Sequence, residues 1–397
     1  MTEEKIGTAG EGDEGGSEPR RHGAGPRTGS TVDMMPDLTA SFGLRRGRMP
    51  RRVWRDMREY RGALATLIVL VIILASTEGG FLTVGNLQNV FETNASLFLV
   101  SIGMTFALVS AGFDLSVGSM MAVSEELLLI FINDAHISSL LAIVLAVLCC
   151  GAIGAILNGI SIGVLKLNFF VTTLGVLILL QGIVEVASNG TTTSINSSFL
   201  KALGNNTVGI VPISFLICAG ALVVAWFVLH KTTFGRSVYC VGGNAEAARL
   251  SGVSVSWSII GVYALSGLCG GLAGVVDAGR LVAASPTAGG TIELTSGAAV
   301  LLGGASLAGG VGKLAGMTCG VLVLAVLANG VNLLGLSAYW QDVVTGAVLL
   351  IAILLDRANK SGSLKGLFRW RRNRPTVPAD TGTGVEQPFG AGGSSVA

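Results

Sequence analysis

Charged residues are scarce in this chain of 397 residues. Asp, Glu, Lys and Arg together make up 13% of the sequence, whereas hydrophobic residues make up 51%. Soluble globular proteins carry about 25% charged residues, so this composition excludes an ordinary soluble enzyme of this length. It predicts instead an integral membrane protein of the all-α class.

Residues that commonly build catalytic or metal centres are also few. The three histidines, His22, His136 and His230, have no base or ligand partner nearby in sequence, which leaves catalytic triads and zinc sites unsupported. The six cysteines show no ligand spacing and are interpreted as small packing residues without disulfides. We therefore expect no catalytic residue, no metal site and no cofactor bound by this chain.

A nucleotide-binding loop is absent as well. The pattern Gly-x4-Gly-Lys-Ser/Thr, which cradles phosphates, does not occur, and Gly312 and Lys313 are followed by Leu314. Any ATP that drives the activity of this protein must therefore be hydrolysed by a separate subunit. The chain itself is predicted not to be an enzyme.

Positive charge is concentrated at the two ends of the chain. Of the 26 Lys and Arg residues, twelve lie in residues 1–61, seven lie in 357–397 and seven lie between them. Both ends are predicted to be basic, largely disordered tails around a transmembrane domain at 62–356. Such clusters can bind nucleic acid, but beside membrane spans they are far more often cytoplasmic anchors to anionic lipid.

Ten apolar runs are candidates for membrane spans, because about 20 apolar residues form a helix that crosses the hydrocarbon core. They are residues 62–77, 95–113, 115–133, 138–165, 169–187, 211–229, 257–276, 294–311, 314–336 and 340–355. With ten spans both termini lie on one side, and the positive-inside rule places the Arg-rich tails in the cytoplasm.

A weak internal repeat relates the two halves of the chain. Asn158 and Gly159 are followed by Gly175 and an apolar run, and residues 329–330 are followed at the same distance by Gly346 and a similar run. The fourth and fifth spans would then correspond to the ninth and tenth. An offset of five spans inverts their direction, which predicts an inverted repeat of the kind common in transporters.

Two glycine-rich elements interrupt the apolar runs. Residues 112–119 surround Asp114 with two glycines and two serines, and two interpretations remain open. The element either lines or gates a path, since broken backbone at membrane depth faces protein or water, or it is a cytoplasmic turn with Asp114 as N-cap. Residues 303–310 allow a re-entrant bend or, as we favour, close helix packing.

Several other polar residues lie within or beside the apolar runs. Glu125 and Glu126 either face a wet path, or their span ends before residue 133, because charged residues at mid-membrane are costly. Gln181 and Glu185 lie one turn apart, after Thr172 and Thr173 in the same span, and either bond a hydroxylated solute or pair between helices.

The loop at 283–291 and Glu293 after it lie on the side from which a solute would arrive. A solvated loop explains them equally well. Sequence alone does not choose between a contact with solute and plain solvation at these positions.

The segment 234–252 is a compact polar stretch between long apolar runs. Its centre favours a helix, with Asn244 as the N-cap and Gly252 at the position that follows the helix end. These features predict a helix of about two turns outside the bilayer. On the ten-span topology this helix lies in the cytoplasm, where a partner that supplies energy would dock.

Ten short motifs then occur in an order that matches a known family. They are 103–106 (GMTF), 114–119 (DLSVGS), 158–159 (NG), 234–236 (FGR), 242–244 (GGN), 246–252 (EAARLSG), 263–267 (YALSG), 286–289 (PTAG), 333–335 (LLG) and 340–341 (WQ). On these motifs the chain resembles the bacterial ABC importer permeases of the ribose, xylose and arabinose type over about residues 62–356. The resemblance implies a type II importer-like fold in the bacterial inner membrane.

The resemblance also implies a set of partners. These are two cytoplasmic ATP-binding subunits, an extracytoplasmic sugar-binding protein and a second copy of the permease. It assigns coupling to the ATPase to Gly235, Arg236, Asn244, Glu246, Ala247, Ala248, Arg249 and Gly252. Candidates for the translocation path are Asp114, Ser116, Gly118, Thr173 and Gln181.

The chain departs from the family pattern at Glu125, Glu126 and partly at 291–297, which leaves the transported sugar open. Two other functions are compatible with the residues. An ion-coupled secondary transporter would need charged groups at mid-membrane and no docking segment. A membrane scaffold would move no solute at all.

Overall fold

A computed structural model describes residues 61–337 and 339–360, with side chains described as far as Leu354. The predicted N-terminal tail, apart from Arg61, lies outside these residues. The predicted C-terminal tail begins at 357, whereas the last helix continues to Lys360. The rest of that tail also lies outside the described residues.

Apart from a single-turn helix and two π-helical segments, the described residues form fourteen helices and four two-residue strands. The first seven helices are α1 (Arg61–Thr77), α2 (Val84–Thr93), α3 (Ala95–Val109), α4 (Val117–Leu129), α5 (Ser139–Ile153), α6 (Phe169–Ala187) and α7 (Ser198–Asn205). The other seven are α8 (Ile213–Lys231), α9 (Thr233–Gly243), α10 (Ala245–Leu250), α11 (Val255–Leu281), α12 (Ile292–Leu302), α13 (Leu314–Leu333) and α14 (Tyr339–Lys360). The π-helical segments Ile130–Asp134 and Gly154–Ile160 continue α4 and α5, and the one-turn helix Ser161–Gly163 completes the α5 span.

Each of the ten predicted spans overlaps one of these helices. Within the described part of the chain, five helices are long and apolar enough to cross a membrane, namely α5 with its continuation, α6, α8, α11 and α13. A sixth span results if α2 and α3, which meet at a bend of 46°, are counted together. The shorter helices α1, α12 and α14 are apolar too. The all-α membrane class is thereby confirmed.

Two predicted spans are wrong in their boundaries. The span predicted at 95–113 ends as a helix at Val109, and the span predicted at 294–311 ends at Leu302. The chain after Leu302 is irregular, and Gly304, Gly309, Gly310 and Gly312 have positive φ angles that other residues rarely adopt. The glycines at 303–310 therefore form a loop and do not serve helix packing alone.

The two ends of the bundle differ in structure. Antiparallel pairs of strands lie at one end, β1 (Thr193–Ser194) with β4 (Ala283–Ala284) and β2 (Thr207–Val208) with β3 (Val211–Pro212). We call this the strand end. The opposite end carries α9 and α10 together with the loops after α3 and α12, and we call it the α10 end.

Helix α11 lies at the centre and packs against α3, α4, α5 and α7. Its glycines bring neighbouring backbones close: a Cβ at Gly267 would overlap the carbonyl oxygen of Cys150, and a Cβ at Gly274 would reach that of Met121. Small residues at such contacts are typical of packing between membrane helices. The 57 glycines of the sequence thus include residues that the close approach of helices requires.

The proposed repeat falls on matching helices. Asn158 and Asn329 are buried near the ends of the α5 and α13 spans. Gly175 and Gly346 lie about two turns into the helices that follow, α6 and α14, and a Cβ at either would meet no other atom. The inversion of the two halves stays a prediction.

Candidate functional site

Helix α10 has the caps that its sequence predicts. Asn244 is extended, and its side-chain oxygen accepts a hydrogen bond from the backbone N–H of Ala247 at 2.9 Å. Beyond the helix, Gly252 has a φ of +81° and its N–H donates to the carbonyl of Arg249 at 3.0 Å. Both ends of α10 are therefore closed by local hydrogen bonds, which stabilise a helix of only six residues.

The outer surface of α10 is exposed and carries a charge pair. Arg249 donates to Glu246 at 2.6 Å, and each side chain is 65% exposed. This hydrogen bond lowers the pKa of Glu246 below its ordinary value, so the carboxylate is charged at neutral pH. Leu250 is 76% exposed, whereas Ala248 is buried against the bundle. An exposed apolar residue beside a fixed charge pair is suited to contact with another protein.

The helix before α10 is held tightly against the membrane bundle. A Cβ at Gly242 would overlap the carbonyl oxygen of Val109 and approach the backbone nitrogen of Gly310. The hydroxyl of Tyr239 donates to the carbonyl of Gly312 at 2.7 Å. These contacts join α9 to the end of α3 and to the loop at 303–313.

The start of α9 is held by a helix cap and by close packing against the end of α8. The hydroxyl of Thr232 accepts a hydrogen bond from the N–H of Gly235 at 3.2 Å and caps the helix. A Cβ at Gly235 would overlap the backbone of Leu229, so only glycine fits this turn. Arg236, the next predicted coupling residue, is exposed.

The break between α3 and α4 is built around Asp114. Its Oδ1 accepts hydrogen bonds from the N–H and the hydroxyl of Ser116 at 3.0 and 2.7 Å, and Ser116 occupies the N-cap position of α4. The amide of Asn158 donates to the same hydroxyl at 2.7 Å. Ala111, with a φ of +65°, turns the chain out of α3. This local turn at Asp114 is fully buried, unlike an ordinary solvated turn.

Residues of two further helices complete this polar cluster. Tyr263 and Ser266 of α11 lie beside Asp114, and Glu293 of α12 contacts Gly118. The Tyr263 hydroxyl and the second carboxylate oxygen of Glu293 are buried and have no hydrogen-bond partner among the described residues. The sequence did not indicate that Tyr263 and Ser266 lie beside Asp114, although both belong to the motif at 263–267.

The five predicted path residues differ in accessibility. Asp114, Ser116 and Thr173 have no exposed surface, and the Thr173 hydroxyl donates to the carbonyl of Phe169 at 2.9 Å. Gly118 is buried too. Gln181 alone among the five is partly exposed, and its amide donates to the carbonyl of Pro286 at 2.7 Å and to Glu185 at 3.1 Å.

Glu125 has a partner that neither predicted explanation includes. Its span does not end early, since α4 and its π-helical continuation run to Asp134. Its carboxylate is buried and accepts a hydrogen bond from the N–H of Ser285 at 2.9 Å. The chain at 283–291 is therefore packed into the bundle, and Glu293 beside it is only 6% exposed.

Comparisons with known proteins place these features in a family. A family model described as "Branched-chain amino acid transport system / permease component" matches residues 86–353. The chain belongs to this permease family. The matched range contains α10, the polar cluster at Asp114 and the segment 283–291.

Relatives of this permease include transport proteins from two bacteria. It is 37% identical to the ribose import permease RbsC of Escherichia coli K12 over 300 residues, which are 74% of this chain and 92% of that protein. It is 39% identical to RbsC of Bacillus subtilis 168 over 298 residues, which are 75% of this chain and 92% of that protein. The D-allose permease AlsC of E. coli K12 is 34% identical over 299 residues, which are 75% of this chain and 91% of that protein. No solved structure matches the chain.

Proposed function

We propose that this permease is the membrane subunit of an ATP-driven bacterial importer and forms the path for a monosaccharide of the ribose type. Relatives named for ribose and allose support the substrate class. The sequence has no nucleotide-binding loop, so ATP is hydrolysed by a separate subunit.

The distribution of charge supports an orientation in the inner membrane. Of the seven Lys and Arg residues between 62 and 356, two lie at the strand end, Lys201 and Arg280. The others lie at the α10 end: Lys166, Lys231, Arg236, Arg249 and Lys313. By the positive-inside rule the α10 end faces the cytoplasm, and so do both termini.

Each surface then has its own partner. Two ATP-binding subunits dock at the α10 end, and a sugar-binding protein delivers solute at the strand end. Helix α6 buries only one stripe, Thr173, Val176, Leu180 and Val184. Its other apolar faces are available to lipid and to a second copy of the permease, and the basic tails contact anionic lipid.

The capped and exposed helix α10 is the observation that carries this proposal. It stands outside the bundle, presents Leu250 and the Glu246–Arg249 pair, and is joined to α3 through the tight contact at Gly242. Closure of the ATPase subunits would therefore move the spans as rigid bodies and switch access between the two sides.

Two substitutions in this segment test the coupling role. We expect Glu246→Arg and Gly252→Val to uncouple ATP hydrolysis from uptake while the permease remains folded. The first reverses a charge on the exposed docking face. The second places a branched side chain at a φ of +81°, which costs about 1–2 kcal/mol and distorts the end of α10.

Gly190→Val is a matched control for the second variant. Gly190 has a φ of +65°, and a Cβ there would meet no other atom, as at Gly252, but it lies at the strand end. Substrate-stimulated ATPase activity and ATP-driven uptake are measured on the assembled complex. Normal transport by Glu246→Arg and Gly252→Val, with the ATPase bound at wild-type strength, would contradict the assignment.

A further inference from the structure

The chain between the strand end and α12 enters the bundle without helical structure. The N–H of Ser285 bonds to Glu125, and Gly289 packs on the backbone of Gly118, seven residues earlier in α4. The segment 285–291 therefore runs along α4 from the Glu125 carboxylate to the backbone of Gly118, and α12 begins only beyond it.

Two side chains from neighbouring helices hold this segment in place. The Glu125 carboxylate accepts from Ser285, and the Gln181 amide donates to the carbonyl of Pro286. Pro286 and Ala288 are buried, and Gly289, with a φ of +85°, has no room for a side chain against Gly118. One face of the segment is thus fixed to α4 and α6.

The other face of the segment is polar and exposed. Thr287, Gly290 and Thr291 are all exposed, although Pro286 and Ala288 on either side of Thr287 are buried. Irregular backbone at membrane depth is not found against lipid and occurs where it is covered by protein or lines water. Because these three residues have no protein covering them among the described residues, their face is suited to water and to a polar solute.

The polar face continues into a cavity. One turn beyond Thr291, the hydroxyl of Thr295 donates to the Thr291 carbonyl at 3.1 Å. Thr295 also lines a cavity of about 140 Å³ between α3, α12, α13 and α14. Its polar lining residues are Asn94, Thr295, Gln341, Asp342 and Thr345. The described lining contains hydroxyl, amide and carboxylate groups and no basic residue.

We propose that Thr287, Thr291 and Thr295, with the cavity beyond them, form the surface that a neutral polyhydroxylated solute contacts on its way through the permease. Glu125 and Gln181 act as positioning residues: their hydrogen bonds hold the segment 285–291 so that its polar face stays exposed. The inference rests on the proposed transport function. It also replaces the buried Asp114, Ser116 and Thr173 as the groups that meet solute in this conformation.

Accessibility to a charged thiol reagent tests this placement. Thr287→Cys and Thr291→Cys are made in the complete importer and treated with a membrane-impermeant methanethiosulfonate from the strand end, with the unsubstituted importer as the background for native cysteines. Ile178→Cys is the lipid-facing control, because Ile178 is 63% exposed on α6, and Ala288→Cys is the buried control.

We expect both threonine positions to react at least about tenfold faster than either control, because thiolates form in water and not in apolar surroundings. Loading the sugar-binding protein with D-ribose and adding ATP should change the rate at these two positions only. Equal rates at Thr287→Cys and Ile178→Cys would overturn the inference.

Removal of the hydroxyls provides an independent measurement. The double variant Thr287→Val and Thr291→Val should lower the rate of D-ribose uptake about tenfold, the effect of losing hydrogen bonds worth about 1.4 kcal/mol. Thr207→Val, at an exposed position of the strand end, should transport normally. Normal uptake by the double variant would contradict the inference and leave the proposed function standing. Failure of the unsubstituted complex to transport would count against the proposed function itself.

Discussion

Replacing Gly242 with alanine is expected to abolish solute transport, whereas the same substitution at Gly243 should leave transport near the wild-type rate. A Cβ at Gly242 would overlap the carbonyl oxygen of Val109, while a Cβ at Gly243 would meet no other atom. The overlap involves backbone on both sides, so a side-chain rotation cannot relieve it. Overpacking of this kind costs about 1–3 kcal/mol and would displace α9 and α10 from α3.

Comparison of Gly242→Ala with Gly243→Ala distinguishes a packing defect from a general effect of alanine on α9. Both glycines lie at the end of α9, and their substitutions differ only in the contact made with the bundle. Uptake by the assembled importer and retention of the ATPase subunit are measured for each variant. Equal transport by Gly242→Ala and Gly243→Ala would show that the contact with Val109 does not carry the motion.

Gly267→Ala is expected to destabilise the whole bundle. Gly267 lies in the central helix α11, where a Cβ would overlap the carbonyl oxygen of Cys150 in α5. We expect a loss of about 1–3 kcal/mol, visible as a lower thermal midpoint of the purified permease in detergent. Gly154→Ala is expected to destabilise the bundle in the same way, because a Cβ at Gly154 would overlap the carbonyl oxygen of Tyr263.

Gly175→Ala in α6 is expected not to destabilise the permease. A Cβ at Gly175 would meet no other atom, and alanine stabilises a helix relative to glycine by about 0.8–1.0 kcal/mol. Its thermal midpoint should therefore equal or exceed that of the wild type. A similar loss of stability for Gly175→Ala and Gly267→Ala would contradict the packing of α11 through its glycines.

Local features of the fold could be predicted from the sequence. Charge scarcity and apolar runs identify an all-α membrane protein, and each predicted span overlaps a helix. The caps of α10 could be predicted as well, because Asn244 and Gly252 act on backbone groups within three residues. Composition and near-neighbour hydrogen bonds depend on short stretches of sequence, which is why the all-α class and the caps of α10 are confirmed, whereas the count of ten spans stays a prediction.

Features that depend on distant partners could not be predicted. The acceptor role of Glu125 toward Ser285 joins residues 160 positions apart, and no periodicity in either segment indicates the pair. Gly309 bends the chain after α12 because it packs on Ala111 and Gly242. An apolar, glycine-rich run looks the same whether it continues a helix or forms such a loop, so the span at 294–311 was predicted too long.

Residues that contact solute are also difficult to predict from the sequence. A polar side chain in an apolar run indicates either a contact with solute or an internal hydrogen bond, and Asp114 and Thr173 prove to make internal bonds in this structure. The spacing of four between Thr287, Thr291 and Thr295 would indicate a common face only in a helix, and the chain at 285–291 is not helical. The exposure of the first two threonines depends on the tertiary contacts of this segment, which the sequence does not reveal.

Uptake of D-ribose into proteoliposomes tests the central claim most directly. The permease is reconstituted with its ATPase subunits, the sugar-binding protein is added on the strand side, and ATP is supplied on the α10 side. We predict that accumulation requires every component and ATP, and that it persists when ionophores collapse the ion gradients. Uptake that proceeds without the ATPase and disappears with the ion gradient would contradict the account.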